Sequence, residues 1–238
     1  MKNFLTAISI VFIAFNSQAQ NNNTVHKAEI WLGYISAVNF NEKFSAWNDF
    51  HFVLKSFFIS RHGITYHLAQ KATLTAGYAW ALTSTTFTDQ LIRFEHRPWG
   101  QLEFIQPIHK ELSFRFRIRY DARFQKKVNK NQMFDDFISY NRIRFLNGIR
   151  FPVVRLKNEK NIYLNLMNET LLNFGKEVTE NNLDQNRIWV LVGVNWGNIS
   201  LMPGYEFRFV PTVMGNQNIY HGLVLWIVQD FKLKRTLP

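Results

Sequence analysis

Residues Leu112 to Phe124 read LSFRFRIRYDARF, and their alternation decides the fold class. Leu112, Phe114, Phe116, Ile118, Tyr120, Ala122 and Phe124 occupy one parity, and Ser113, Arg115, Arg117, Arg119, Asp121 and Arg123 the other. Successive side chains of a β-strand point to opposite faces, so the segment reads as a strand with one oily face and one guanidinium face. The split recurs downstream. Ile188, Val190, Val192, Val194 and Trp196 oppose Arg187 and Asn195, while Leu201, Tyr205, Phe207 and Phe209 oppose Glu206 and Arg208. Ile143 and Phe145 oppose Tyr140, Arg142 and Arg144.

Period-2 segments bounded by turn residues run the length of the chain. They are Ala28–Val38, Phe44–Lys55, Ile59–Leu68, Ala72–Leu82, Ile92–Ile105, Glu111–Phe124, Phe137–Phe151, Ile162–Asn173, Leu183–Trp196, Ile199–Val210 and Ile219–Phe231. Many are 11 to 15 residues long, whereas strands of ordinary globular proteins average about 5 to 6. A tilted membrane-spanning strand needs about 9 to 11. Short connections (Asn41–Lys43, Ala69–Lys71, Pro107–Lys110, Gly197-Asn198) interleave with longer polar ones (Thr83–Leu91, Gln125–Asp136, Gly175–Asn182, Pro211–Asn218). Bacterial outer-membrane barrels have short periplasmic turns, longer external loops and even strand numbers. Pro152–Lys160 is long for a turn and Ser56–Phe58 short for a loop. The expectation is an antiparallel transmembrane β-barrel of 10 or 12 strands, with Ala28–Val38 outside the wall or one more strand unread.

The chain has 238 residues, of which 47% are hydrophobic and 16% aromatic, and no cysteine. Its opening, MKNFLTAISIVFIAFNSQAQ, has Lys2 before an apolar run from Phe4 to Phe15 and then Ser17-Gln18-Ala19. Those are the three parts of a secretory signal. Residues 1–19 are read as a cleaved signal and 20–238 as one barrel domain, placed in the outer membrane of a Gram-negative bacterium. The lack of cysteine excludes disulfides and thiolate metal or redox sites. The seven histidines are scattered, and no phosphate loop or nucleophile elbow is present, so neither metal nor cofactor is expected.

A soluble lipocalin-like barrel would carry the same alternation inside out. Strand length favours lipid outside, as do aromatics near strand ends (Trp31, Trp47, Trp80, Trp99, Trp196, Tyr205, Trp226) read as an interfacial girdle. Soluble exteriors also prefer Lys and Glu to Arg. With the phenylalanine face on lipid, the lumen receives Arg93, Arg97, Arg115, Arg117, Arg119, Arg123, Arg142, Arg144, Arg150, Arg187 and Arg208. Opposite them stand Glu95, Glu103, Asp121, Glu169 and Glu206, so eleven positive charges face five negative. One reading is a structural ion-pair network filling a narrow barrel; the other is an anion-preferring lumen.

Several stretches together resemble a known family. They are Ala76-Gly77-Tyr78, Phe94-Glu95-His96-Arg97-Pro98-Trp99-Gly100-Gln101-Leu102, the ladder Phe114–Arg123, Tyr140-Asn141-Arg142-Ile143-Arg144, Asn168-Glu169, Asn186-Arg187 and Gly204-Tyr205-Glu206. In this order they resemble the outer-membrane barrel family catalogued as domain of unknown function 2490, across essentially the whole chain after the signal. Gly100-Gln101 stands where that family usually has a glutamine pair. The resemblance implies a barrel with an inward Glu/Arg network, and it implies no activity.

A lipid hydrolase or acyltransferase built on a barrel would need a nucleophile beside a base. His96 and His221 fall on apolar registers, Ser113 and Ser200 fall on the arginine face, and no serine and histidine share a face at useful spacing; an enzyme is not expected. The net charge of +11 would suit nucleic acid, but an exported protein does not meet it. Lys126, Lys127 and Lys130 form a basic loop suited to lipopolysaccharide phosphates. The expected partners are outer-membrane lipid and lipopolysaccharide, the barrel-assembly machinery during biogenesis, and a small anionic solute in the channel reading.

Overall fold

A computed structural model describes residues 23–85, 88–109, 112–129, 132–155, 160–179, 181–212 and 215–233. The signal segment expected at 1–19 lies outside these. Among the described residues the chain forms eleven strands and no α-helix: β1 (Thr24–Asn39), β2 (Phe44–Val53), β3 (Phe57–Ala69), β4 (Ala72–Thr85), β5 (Thr88–His109), β6 (Leu112–Asn129), β7 (Gln132–Arg155), β8 (Lys160–Phe174), β9 (Leu183–Trp196), β10 (Ile199–Pro211) and β11 (Gln217–Lys232). Each pairs antiparallel with the next, and the sheet closes into a barrel through β1 and β11.

The all-β barrel agrees with the alternation, but its count is eleven rather than 10 or 12. An up-and-down series with an odd number of strands brings its first and last strands together in the same direction. β1 and β11 accordingly pair in parallel, from Thr24↔Gln217 to Asn39↔Lys232. Parallel pairing is slightly weaker per residue, and this seam offsets that by its length. β1 is thus a wall strand, and the strand series starts at one rim and finishes at the other.

The first rim carries the start of β1 and the ends at which β2 and β3, β4 and β5, β6 and β7, β8 and β9, and β10 and β11 follow one another. The second carries the opposite ends, at which β1 and β2, β3 and β4, β5 and β6, β7 and β8, and β9 and β10 follow one another, and the end of β11. Two segments expected as long loops are largely ladder. β4 and β5 stay paired through Thr85↔Thr88, and β6 and β7 through Asn129↔Gln132. Polarity alone does not end a strand, because the ladder pairs backbone groups.

The faces follow parity. Ile188, Val190 and Val192 lie on the outside, each more than two-fifths exposed, while Trp189 and Leu191 between them are buried inside. A barrel of this width must be filled by its inward residues. One apolar cluster joins Trp31, Trp189 and Trp226 with Leu146, Tyr163, Met167 and Leu191. A second joins Ile59, Ala79, Ala81 and Trp99, with Trp47 packed against it. Glycine makes room where rings cross the lumen: a Cβ on Gly33 would stand 2.5 Å from His51 Nδ1 and 2.7 Å from Trp226 Cδ1.

The expected aromatic girdle is corrected by this packing. Trp31, Trp47, Trp99 and Trp226 turn into the barrel, and only Trp80, Trp196 and Tyr205 of that set stay on its outer wall. Each inward tryptophan shares parity with inward neighbours, Trp47 with Asp49 and Trp99 with Arg97 and Gln101.

Candidate functional site

The charged residues of the inner wall come from strands all round the barrel and pair along it with partners on the same, adjacent or next-but-one strand. Glu95 on β5 is a hub. Its carboxylate accepts from Arg97 Nε at 2.7 Å, from Arg123 Nε and Nη2 at 2.6 and 2.7 Å, and from Gln125 Nε2 at 2.7 Å. Tyr140 donates to Gln125 Oε1 at 2.9 Å and presents its ring to the Arg123 guanidinium at 4.7 Å. A carboxylate with that many charge-assisted bonds is fully satisfied, so its burial is affordable.

The other expected lumen residues pair as well. Arg115 binds Glu103 at 2.6 Å, Arg144 binds Asp121 at 2.7 Å, and Arg117 binds Glu169 at 2.8 Å. Arg187 lies between Glu169 at 3.8 Å and Glu206 at 3.9 Å. Arg93 donates to the Lys126 carbonyl at 2.9 Å, and Arg150 reaches Asn165 at 3.3 Å and stacks on Tyr163 at 4.3 Å. Arg142 pairs with Asp184 at 2.8 Å and Arg208 with Glu29.

Asp184 and Glu29 were absent from the expected set, and so were Asp49, His51 and Arg61. Arg61 donates to both oxygens of Asp49 at 2.9 and 2.8 Å. His51 Nε2 is 3.0 Å from Asp49, and Trp31 Nε1–H donates to His51 Nδ1 at 2.9 Å. That donor requires Nδ1 to be bare and places the ring proton on Nε2, toward Asp49. Parity would have found these residues, since Asp49 and His51 alternate with Asn48 and Phe50. With them, eleven arginines become twelve and five carboxylates become eight among the described residues, so the excess of six falls to four.

Among the described residues, one fully buried arginine is held by a neutral partner rather than a carboxylate. Arg119, only 1% exposed, gives Nε and Nη2 to the neutral Gln101 Oε1 at 2.9 and 2.5 Å. Its guanidinium lies over Trp99 at 4.9 Å and Trp47 at 5.4 Å, where the ring faces offset part of its desolvation. It borders a cavity of about 450 Å³ that reaches Ser56, Ser84 and Tyr220 at the first rim. The Trp31, Trp189 and Trp226 rings, with centroids 5.7 to 6.2 Å apart, bound the same space.

At the first rim Lys126 pairs with Asp135 at 3.0 Å and Lys127 lies 3.8 Å from Asp136, while Lys130 falls outside the described residues. The outer wall holds one arrangement that contradicts the expected separation of serine and histidine. Ser60 Oγ is 2.8 Å from His62 Nε2, and His62 Nδ1 is 2.8 Å from Asn48 Oδ1. Ser113 and Ser200 lie on the inner face as expected, Ser200 donating to Asn195 Oδ1 at 3.2 Å. His96 and His221 sit outside against Tyr78 and Tyr205.

A family model described as protein of unknown function (DUF2490) matches residues 28–218, from early β1 to the start of β11. The chain belongs to the DUF2490 family. No curated protein and no solved structure matches it. The DUF2490 match takes in the Glu95 hub, the β6 arginine ladder and the Glu169 and Glu206 pairs, so the ion-pair network lies within the family region.

Proposed function

We propose that this DUF2490 protein is an outer-membrane β-barrel, exported by its N-terminal signal, whose lumen is sealed by its own side chains and which serves as a structural barrel. One observation carries the reading: the usual order of a soluble fold is inverted. Glu95, Arg97, Arg119 and Asp121 are at most 1% exposed, while Leu223, Ile64 and Trp196 are more than half exposed on the outer wall. Such an exterior is costly in water and at rest in lipid. The long-loop rim then faces outward, toward lipopolysaccharide, and the barrel-assembly machinery inserts the chain. No catalytic role falls to the lumen in this reading.

Expression of the full chain in a Gram-negative host tests it. The expected product sits in the outer-membrane fraction, migrates faster in SDS unboiled than boiled, and carries no steady current across a planar bilayer. A soluble periplasmic product without a heat shift would overturn the membrane reading and leave the apolar outer wall to be covered by a partner of another kind.

Arg119 favours a second reading. A buried guanidinium held by a neutral amide beside a cavity is a seat for an anion. An anion-selective current that falls in the Arg117→Gln, Arg119→Gln double variant would replace the sealed lumen with a narrow channel.

A further inference from the structure

The outer face of β3 carries Ser60, His62, Ile64 and Tyr66 in alternation with inward Ile59, Arg61 and Thr65. The antiparallel register sets Asn48 of β2 directly beside His62, and Phe50 and Trp80 on either side of Ser60. A serine, a histidine and an asparagine thus share one face of the wall in hydrogen-bond order. We propose that Ser60, His62 and Asn48 form an acyl-ester hydrolase site on the outer, lipid-facing wall of the barrel, its serine covered by the flanking aromatic rings.

The hydrogen bonds fix the roles. Asn48 Oδ1 can only accept, so the His62 proton that meets it at 2.8 Å is on Nδ1. Neutral imidazole then has a bare Nε2, and the Ser60 hydroxyl, 2.8 Å away, donates to it. This is the tautomer a general base needs, and Asn48 takes the orienting place that an aspartate or asparagine holds in a nucleophile–base–orienter chain. Asn48 Nδ2 is itself 3.5 Å from Ser36 Oγ, which restrains the amide from the other side. Polar groups on a lipid-facing wall are costly and mark function by default.

The surroundings indicate the substrate class. Phe50 packs edge-on against the His62 ring at 5.4 Å, and Phe58 lies 5.2 Å from Trp80, so aromatic rings flank the serine. Ser60 is 3% exposed and sits at the base of these rings. Long acyl chains match such walls, and a lipid ester reaches them laterally from the membrane; this part rests on the membrane reading above. In the reaction Ser60 Oγ bonds to the ester carbonyl carbon as its proton passes to His62 Nε2. The ester C–O bond then breaks, and the leaving alcohol takes that proton. Water hydrolyses the acyl-serine with His62 as base, releasing a fatty acid and restoring Ser60.

The full chain, purified folded in detergent, would be treated with a fluorophosphonate probe and assayed on p-nitrophenyl butyrate and palmitate in micelles. The expected result is label on the peptide containing Ser60, none on S60A, and palmitate turnover lower by about 100-fold or more in S60A and H62Q. N48A is expected to lower kcat at constant KM, with recovery in N48D, which marks a positioning residue. Unboiled gel mobility checks the fold of every variant. A folded wild type that takes no label at Ser60 and turns over no ester faster than S60A would overturn the proposal. Butyrate cleaved as fast as palmitate would overturn its lipid-substrate part. Ser60-dependent labelling in a protein with no heat shift would sink the membrane reading and leave the site standing.

Discussion

Glu95 shows what a single residue does inside this barrel. Its carboxylate binds Arg97, Arg123 and Gln125 at once, so Glu95→Gln leaves two buried guanidiniums without their counter-charge. The expected loss is about 3–5 kcal/mol, since breaking a buried pair costs far more than the intact pair contributes. The denaturant midpoint of the folded barrel measures it, and a loss under about 1 kcal/mol would mean that water replaces the carboxylate. Gly33 makes the opposite point, with space in place of charge. Gly33→Val would push against His51 and Trp226, and a cost of about 1–3 kcal/mol is expected from overpacking, read from the same midpoint.

At the scale of elements, the parallel seam between β1 and β11 is the least expected part of the fold. Ile30 pairs with Leu223 there, on the outer face. The chain has no cysteine, so an Ile30→Cys, Leu223→Cys variant has one possible disulfide. Paired Cα atoms of neighbouring strands stand close enough to form it. Oxidation is expected to cross-link the variant and to hold its unboiled mobility after mild heating. Failure to cross-link in a folded protein would remove β1 from the wall and return the count to ten. The strand positions themselves were legible, since each expected segment overlaps one observed strand, from Ala28–Val38 within β1 to Ile219–Phe231 within β11. Their ends were not, because Thr85, Thr88, Asn129 and Gln132 are polar residues that still pair.

For the whole molecule, the balance of lumen charge is the quantity that matters. Among the described residues, twelve lumen arginines against eight carboxylates leave an excess, and Arg119 is its clearest seat. In the sealed-lumen reading, Arg117→Gln with Arg119→Gln leaves bilayer current at zero and lowers the unfolding midpoint, because Glu169 then loses its 2.8 Å partner. A current in the wild type that the variant abolishes would show instead that the excess charge carries solute. Stability and conductance on the same preparation separate the two.

Alternation and segment length, both local properties of the backbone, were enough to determine the all-β class, the two faces and the arginine-lined interior. The same parity puts Ser60 and His62 on one face, a pair the expected separation of serine and histidine missed. Tertiary structure alone decided three things. Closure made the seam parallel, because the direction of the last strand relative to the first depends on the total count. Packing drew Trp31, Trp99 and Trp226 inward, because an empty interior costs contacts that no rim position returns. Register chose the partners, setting Asn48 beside His62 and, one strand removed along the inner wall, Arg117 on Glu169 and Arg208 on Glu29. Those pairs join residues between 14 and 179 positions apart, and a two-residue period holds no information about what stands beside a strand.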